Sequence, residues 1–327
     1  MLCTAMALLT LALAWCGAAL WIDLPPRSLP ADAVAVLVPG VGLGVLFATG
    51  TGWRGPGAAM LLIGLVVAWW CSLQPRGDRD WLDDVARTPT ANVAGAAVTV
   101  SNVRNFRYGA TDLAVEQRWE TRTYDLDRLD ALDLFISNWG PTLYVHTILS
   151  WHFTNGAPLA ISIETRKEKG EEYSAIKGFF RQYELVYVAA DERDVVGVRA
   201  GPRGERVQLH RLRTTPAERR GLLMAYLQAM NSLAAEPRWY HAIWANCTTE
   251  IWQHVRRVVP GAGLDLRVFV NGGVVALLRE RERLDPAMPL ARLESDADIT
   301  AVATAARDDD RFSQRIRAGL VGFRSRQ

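Results

Sequence analysis

Beyond Leu73 the sequence contains one cysteine, Cys247, so no disulfide can close within that part of the chain. The other three, Cys3, Cys16 and Cys71, lie in apolar runs near the N-terminus. Cys-x2-Cys and His-x3-His spacings are missing, so no metal site is expected. No glycine-rich loop opens a helix after a strand, and there is no Gly-x-Ser-x-Gly elbow. Neither a phosphate cradle nor a serine hydrolase is therefore expected. The net charge is only +2, and no basic stripe or nucleic-acid motif occurs, which leaves nucleic acid out of the expected partners. Internal repeats and low-complexity stretches are also lacking, and no cofactor is expected.

Charge is scarce in the first 73 residues, where three apolar runs cover 1–21, 33–51 and 57–73. Each is near the ~20 residues that span a hydrocarbon core. The first run has no Lys or Arg ahead of it and no small-x-small cleavage site, so it does not read as a signal peptide. Ala14-Trp15-Cys16 does not read as a lipobox, because Trp stands where a small residue belongs. Residues 1–75 are expected to form a membrane anchor of three transmembrane helices. Leu24-Pro25-Pro26-Arg27 and Gly52-Trp53-Arg54-Gly55-Pro56 join them. The positive-inside rule does not decide orientation, since Arg27, Arg54 and the pair Arg76 and Arg79 alternate sides.

The remainder, residues 80–327, reads as one α+β domain with a central antiparallel sheet followed by helices. Strands are expected at 98–103, 144–153, 159–165, 183–189, 195–199 and 207–212. The run 131–137 is ambiguous, 118–128 reads as polar and turn-rich, and Asp191-Glu192-Arg193-Asp194 reads as a turn. Thr154-Asn155-Gly156-Ala157 is a hairpin signal. The charged run 166–173 reads as a solvated connection. Thr215, Pro216 and Glu218 form the start of a helix whose apolar stripe runs from Leu222 to Leu233, before Pro237. From 285 onward the pattern is helical and charged.

Cys247 follows Asn246, a good N-cap, and Ile251, Val255 and Val258 continue at helical spacing. A thiol at the first position of a helix meets unpaired N–H groups and the positive dipole end, which favour the nucleophilic thiolate. The same helix start, Asn246 and Thr248, offers backbone donors to an oxyanion. A cysteine nucleophile needs a base. Of the five histidines, His254 is two turns away on the same helix, about 10 Å along the axis. His210 sits on a late strand beside charged residues and reads as surface. His146, His152 and His241 remain. Alternation puts His146, Ile148, Ser150 and His152 on one strand face, and Ser162 with Glu164 on one face of the next strand. A two-residue Asn155-Gly156 turn pairs residue 146 with 165; a shift of one brings Glu164 opposite His146, where it could fix the ring. The alternative for Glu164 is a salt bridge with Arg166. Trp239, Tyr240, Trp244 and Trp252 flank the nucleophile and suit either core packing or the headgroup layer.

Several ordered motifs resemble the Lnb N-terminal periplasmic domain family, first catalogued as a domain of unknown function. They are Asn102-Val103-Arg104-Asn105-Phe106-Arg107-Tyr108, Thr123-Tyr124-Asp125-Leu126, Val145-His146-Thr147-Ile148-Leu149-Ser150, the run 161–173, Phe180-Arg181-Gln182-Tyr183-Glu184-Leu185, Asp191-Glu192-Arg193-Asp194 and Asn246-Cys247-Thr248-Thr249. Together they span roughly 80–290. Members named Lnb are bacterial lipoprotein N-acyltransferases. The resemblance implies Cys247 as nucleophile and His146 as base. The order of strand histidine and then helix-borne Asn-Cys is similar to the permuted papain-like fold of lecithin–retinol acyltransferases and NlpC-type proteins. It further implies an N-terminus in the cytoplasm, so that residues 80–327 lie on the periplasmic face of the bacterial inner (cytoplasmic) membrane. The named enzymes also carry a C-terminal membrane part, whereas here the membrane helices come first.

Three functions fit these observations. The first is a membrane-anchored acyltransferase that moves an acyl chain from phospholipid to a lipoprotein N-terminal amine through a thioester on Cys247. The second is a papain-like amidase or peptidase acting on cell-wall peptides. The third is a non-catalytic, membrane-tethered binding module in which Cys247 is a buried hydrophobe.

Overall fold

A computed structural model describes residues 2–24, 29–48, 52–140, 145–263, 265, 267 and 273–320. They form two compact units.

The first unit joins residues 1–79 to the segments 171–184 and 238–242. Its helices α1 (Leu2–Asp23), α2 (Leu29–Ala48) and α3 (Arg54–Ser72) are all long and apolar enough to cross a membrane. They are apolar all round, as membrane helices are. Leu8, Leu11, Leu37, Leu61 and Leu65 face outward, while Leu13, Leu46 and Ala59 pack inside. Gly42 makes the close approach possible, because a Cβ there would stand 2.6 Å from Leu13 Cδ2. Of the two expected connections, Pro25, Pro26 and Arg27 lie outside the described residues, while Arg54 to Pro56 belong to α3.

The second unit joins 80–170, 185–237 and 243–327. Its strands are β1 (Thr90–Ala94), β2 (Ala97–Arg104), β3 (Arg107–Tyr108), β4 (Ala114–Glu116), β5 (Trp119–Asp125), β6 (Leu129–Asn138), β7 (Val145–Phe153), β8 (Leu159–Arg166), β9 (Glu184–Ala190) and β10 (Arg206–Arg211). The first residue of β9, Glu184, groups with the first unit. Among the described residues the main sheet runs β1-β2-β9-β8-β7-β6-β10, with β5 paired to β2. It is mostly antiparallel; β2 and β9 are parallel. Residue 144, the expected first residue of β7, lies outside the described residues.

One sheet face holds Phe135, Ile148, Val186 and Val207 against Ile299, Phe312 and Ile316. By alternation the opposite face carries Trp151 and Tyr187, which meet Tyr226 of helix α6 (Pro216–Ala235) and His254 of helix α7 (Cys247–Val258). Thr215 and Glu218 close the expected capping box at the start of α6.

Five local expectations are corrected. The run 195–199 is helical, not a strand: α4 takes Glu192–Val195 and α5 Gly197–Ala200. Asp191, expected in a turn, caps α4 by accepting the Arg193 N–H. Val195, Val196 and Val198 are buried together with Glu192, Arg193, Asp194 and Arg199, so no alternation marks a strand. The polar stretch 118–128 is largely strand β5, held by pairing with β2 rather than by apolar content. Arg166 is no solvated residue; it stacks on Trp81 and donates to the Val85 and Ala86 carbonyls. His210 is buried, because residues 297–299 close the outer edge of β10. Burial without a partner pushes its ring down to about 4.

Candidate active site

The site forms where the start of α7 meets β7 and β8. Asn246 is extended and caps the helix; its Oδ1 accepts the N–H groups of Thr248 and Thr249, each at 3.0 Å. The Thr249 hydroxyl accepts the Asn246 N–H in return at 3.0 Å. This cap fixes Cys247 at the first helical position, partly exposed. It also changes the expected oxyanion donors. The Thr248 N–H is taken up by the cap and the Glu250 N–H by the Asn246 carbonyl. Among the described residues the Cys247 N–H is the donor of this first turn without an acceptor.

His146 comes from β7 and Glu164 from β8. Ile148 pairs with Ser162 and Trp151 with Leu159. Continued outward, this register sets His146 across from Glu164, one residue away from the register of a two-residue turn. The physical reason is the connection between the strands, which covers residues 154–158. His146 Nε2 lies 2.6 Å from Ser162 Oγ and 3.1 Å from Glu164 Oε1. Ser162 donates to Glu164 at 2.6 Å. The Cys247 thiol meets the Thr248 hydroxyl at 3.7 Å, and the His146 ring and the Thr147 N–H both act to hold its negative charge.

Behind Glu164 stand two residues that no local pattern marked. Arg199 of α5 donates to Glu164 at 2.6 Å and to Glu205 at 3.2 Å. Glu205 in turn accepts the hydroxyl of Ser137, which faces His146 from β6. Arg199, Glu205 and His146 are all buried. The salt bridge weighed for Glu164 thus exists, but with Arg199 and not Arg166.

The charges follow from this wiring. Burial raises the Cys247 thiol, but the hydrogen bond and charge of His146 outweigh it and bring it from 9.0 down to about 7. Burial lowers His146, yet the Glu164 carboxylate, opposed by Arg199 and aided by the Cys247 contact, pushes it up to about 9. Burial raises Glu164, and His146 and Arg199 hold it well below the usual carboxylate range. Between about pH 7 and 9 the favoured state is therefore thiolate, imidazolium and carboxylate in a row. Alkylation of Cys247 by iodoacetamide is expected to rise with pH around a midpoint near 7. In His146→Ala the midpoint should move above 9, since burial then acts with its main opponent gone. Rate against pH, read by mass spectrometry, checks both; a midpoint that His146→Ala leaves unchanged would refute the pairing.

The other histidines are placed elsewhere. His152 lies 3.1 Å from Asp133 and 3.4 Å from Glu192, in a cluster that Arg317 closes by bonding both carboxylates. His241 belongs to the first unit, edge-on to Phe179. His254 meets the Tyr187 hydroxyl at 2.7 Å. Of the flanking aromatics, Tyr240 is buried and Trp244 is exposed. Among the described residues no group of three His, Cys, Asp or Glu side chains is arranged to hold a metal ion.

The family model of the Lnb N-terminal periplasmic domain matches residues 116–279. That span contains Ser137, His146, Ser162, Glu164, Arg199, Glu205 and Cys247. No curated protein and no solved structure matches the chain.

Proposed function

Because the chain belongs to the Lnb N-terminal periplasmic domain family, we propose that it is a membrane-anchored cysteine acyltransferase of the bacterial inner membrane. It would take an acyl chain from a phospholipid and pass it to the N-terminal amine of a lipoprotein. The observation that carries this reading is the line Cys247, His146, Glu164, with the thiol at a capped helix start and the base on a strand. A strand histidine followed by a helix-borne Asn-Cys is also the order of a permuted papain-like site.

In the first half-reaction the Cys247 thiolate attacks the ester carbonyl carbon. The oxyanion forms beside the Cys247 N–H. Collapse breaks the ester C–O bond, and His146 delivers its proton to the leaving alkoxide, which departs as lysophospholipid. The acyl group stays on sulfur as a thioester. In the second half-reaction neutral His146 takes the proton of the incoming amine as nitrogen attacks the thioester. The C–S bond then breaks, leaving the amide and restoring thiolate and imidazolium. Ser162 and Glu164 hold the Nε2 side of the ring in both halves, so Nδ1 is the nitrogen assigned to exchange the proton with sulfur and substrates.

The test is complementation. Cells depleted of their own lipoprotein N-acyltransferase should regain N-acylated lipoprotein, read by mass spectrometry, when they express this chain. Cys247→Ala and His146→Ala should not restore it; removing a base of this kind costs ~10²–10⁴-fold. If the wild-type chain adds no acyl group, the transferase reading fails, and cell-wall peptides become the substrate class to try.

A further inference from the structure

Among the described residues of the first unit, the Arg181 guanidinium makes no ion pair. Arg181 sits on the segment that packs at the C-terminal ends of α1 and α3. Its guanidinium lies 4.2 Å over the Trp70 ring and 5.9 Å from the Trp239 ring. Its Nε is buried and makes no hydrogen bond, and among the described residues none of its side-chain nitrogens has an acceptor. Asp23, the carboxylate whose charge acts on Arg181, is occupied by other donors. It accepts the Arg181 main-chain N–H at 3.1 Å, Gln182 Nε2 at 2.8 Å and Trp70 Nε1 at 2.7 Å. Neighbouring cations are matched: Arg76 pairs with Asp78, and Arg79 with Glu184.

Position supplies the missing partner. Asp23 and Trp70 stand at the ends of helices long enough to cross a membrane, so Arg181 lies at headgroup depth. Tryptophans favour that layer. The same segment exposes Ile176 (68%) and Phe179 (41%), large apolar side chains beside Lys177. An arginine fork presents several N–H groups that match phosphate oxygens.

We propose that Arg181, framed by Trp70 and Trp239, binds the phosphodiester of a membrane glycerophospholipid, with Ile176 and Phe179 set among its acyl chains. This deepens the acyltransferase reading by giving the donor lipid a binding site, and it rests on that reading only for the lipid's fate. Binding itself involves no chemistry at Cys247.

The experiment uses the full chain in phospholipid-free detergent, with phosphatidylglycerol added and retention read by native mass spectrometry. Wild type should hold the lipid at least ~10-fold more tightly than Arg181→Gln, the effect of losing one charge-assisted contact to phosphate. Arg181→Lys should fall between them, and Arg76→Gln, on an exposed side chain, should match wild type. Phe179→Ser, also at an exposed position, should weaken retention too, so the idea can be judged even if Arg181→Gln folds poorly. Equal retention by wild type, Arg181→Lys and Phe179→Ser overturns the proposal. A large excess of inorganic phosphate that displaces the lipid completely overturns the lipid assignment in favour of a free-anion site. Lipid retained by a chain that fails complementation would sink the transferase reading and leave this site standing.

Discussion

On the proposed acyltransferase reading, Cys247→Ser should keep its fold and lose acyl transfer by at least ~10³-fold. The substitution changes one atom at a partly exposed position and leaves the Asn246 cap untouched. A hydroxyl is a far weaker acid than a thiol. The His146 contact that brings the thiol down to about 7 therefore cannot ionise an oxygen in the same place. The wild-type chain, denatured in acid after exposure to phospholipid, should carry one acyl adduct on Cys247 that hydroxylamine releases. The serine variant should carry none and melt within a degree or two of wild type. An active serine variant would remove the thiolate from the mechanism. A melting point far below wild type would show that Cys247 is a packing residue, as expected of a binding module.

How much of this site was legible before any coordinates depends on the range of the signals. Asn246 and Cys247 were readable because capping and helical periodicity act within a few residues. His146 shares its face with Ile148 and Ser150 through strand alternation, which is equally local. Glu164 was half-legible. Its face followed from alternation, but its register depends on whether the 154–158 connection counts two residues or an odd number, and Asn-Gly alone does not decide this. Arg199 and Glu205 were invisible. Arg199 lies in a valine-rich run that reads as strand, and its partners come from β8 and the approach to β10. Buried charge pairs carry no periodic signature, so a folded chain is needed to find them. The same holds for Arg181, whose meaning lies in a long apolar helix more than a hundred residues earlier in the chain.

Arg199→Met should be the most damaging substitution that spares Cys247 and His146. Arg199 stands between two carboxylates, Glu164 and Glu205, and it is buried. Its removal leaves both acids with one cation fewer in a low-dielectric setting. Breaking such an arrangement typically costs about 3–5 kcal/mol, a large part of a domain's stability. The chemistry should suffer as well, in a way that separates positioning from simple unfolding. Without Arg199 the Glu164 carboxyl rises toward its ordinary range and Ser162 becomes the main hold on the His146 ring. In the folded fraction kcat should fall with KM little changed, the acidic limb set by the thiol near 7 should stay in place, and the alkaline limb set by His146 near 9 should move to higher pH, because the Arg199 charge that lowers the ring is gone. Arg199→Lys should recover part of the stability by restoring one charge, but less of the rate, because an ammonium cannot bridge both carboxylates as the fork does. The double variant Arg199→Met/Glu205→Gln tests the electrostatic argument directly. Removing the second acid relieves the repulsion, so it should melt higher than Arg199→Met alone. If it melts lower, the loss comes from packing of the long side chain, and the role assigned to Arg199 in holding Glu164 ionised must be given up.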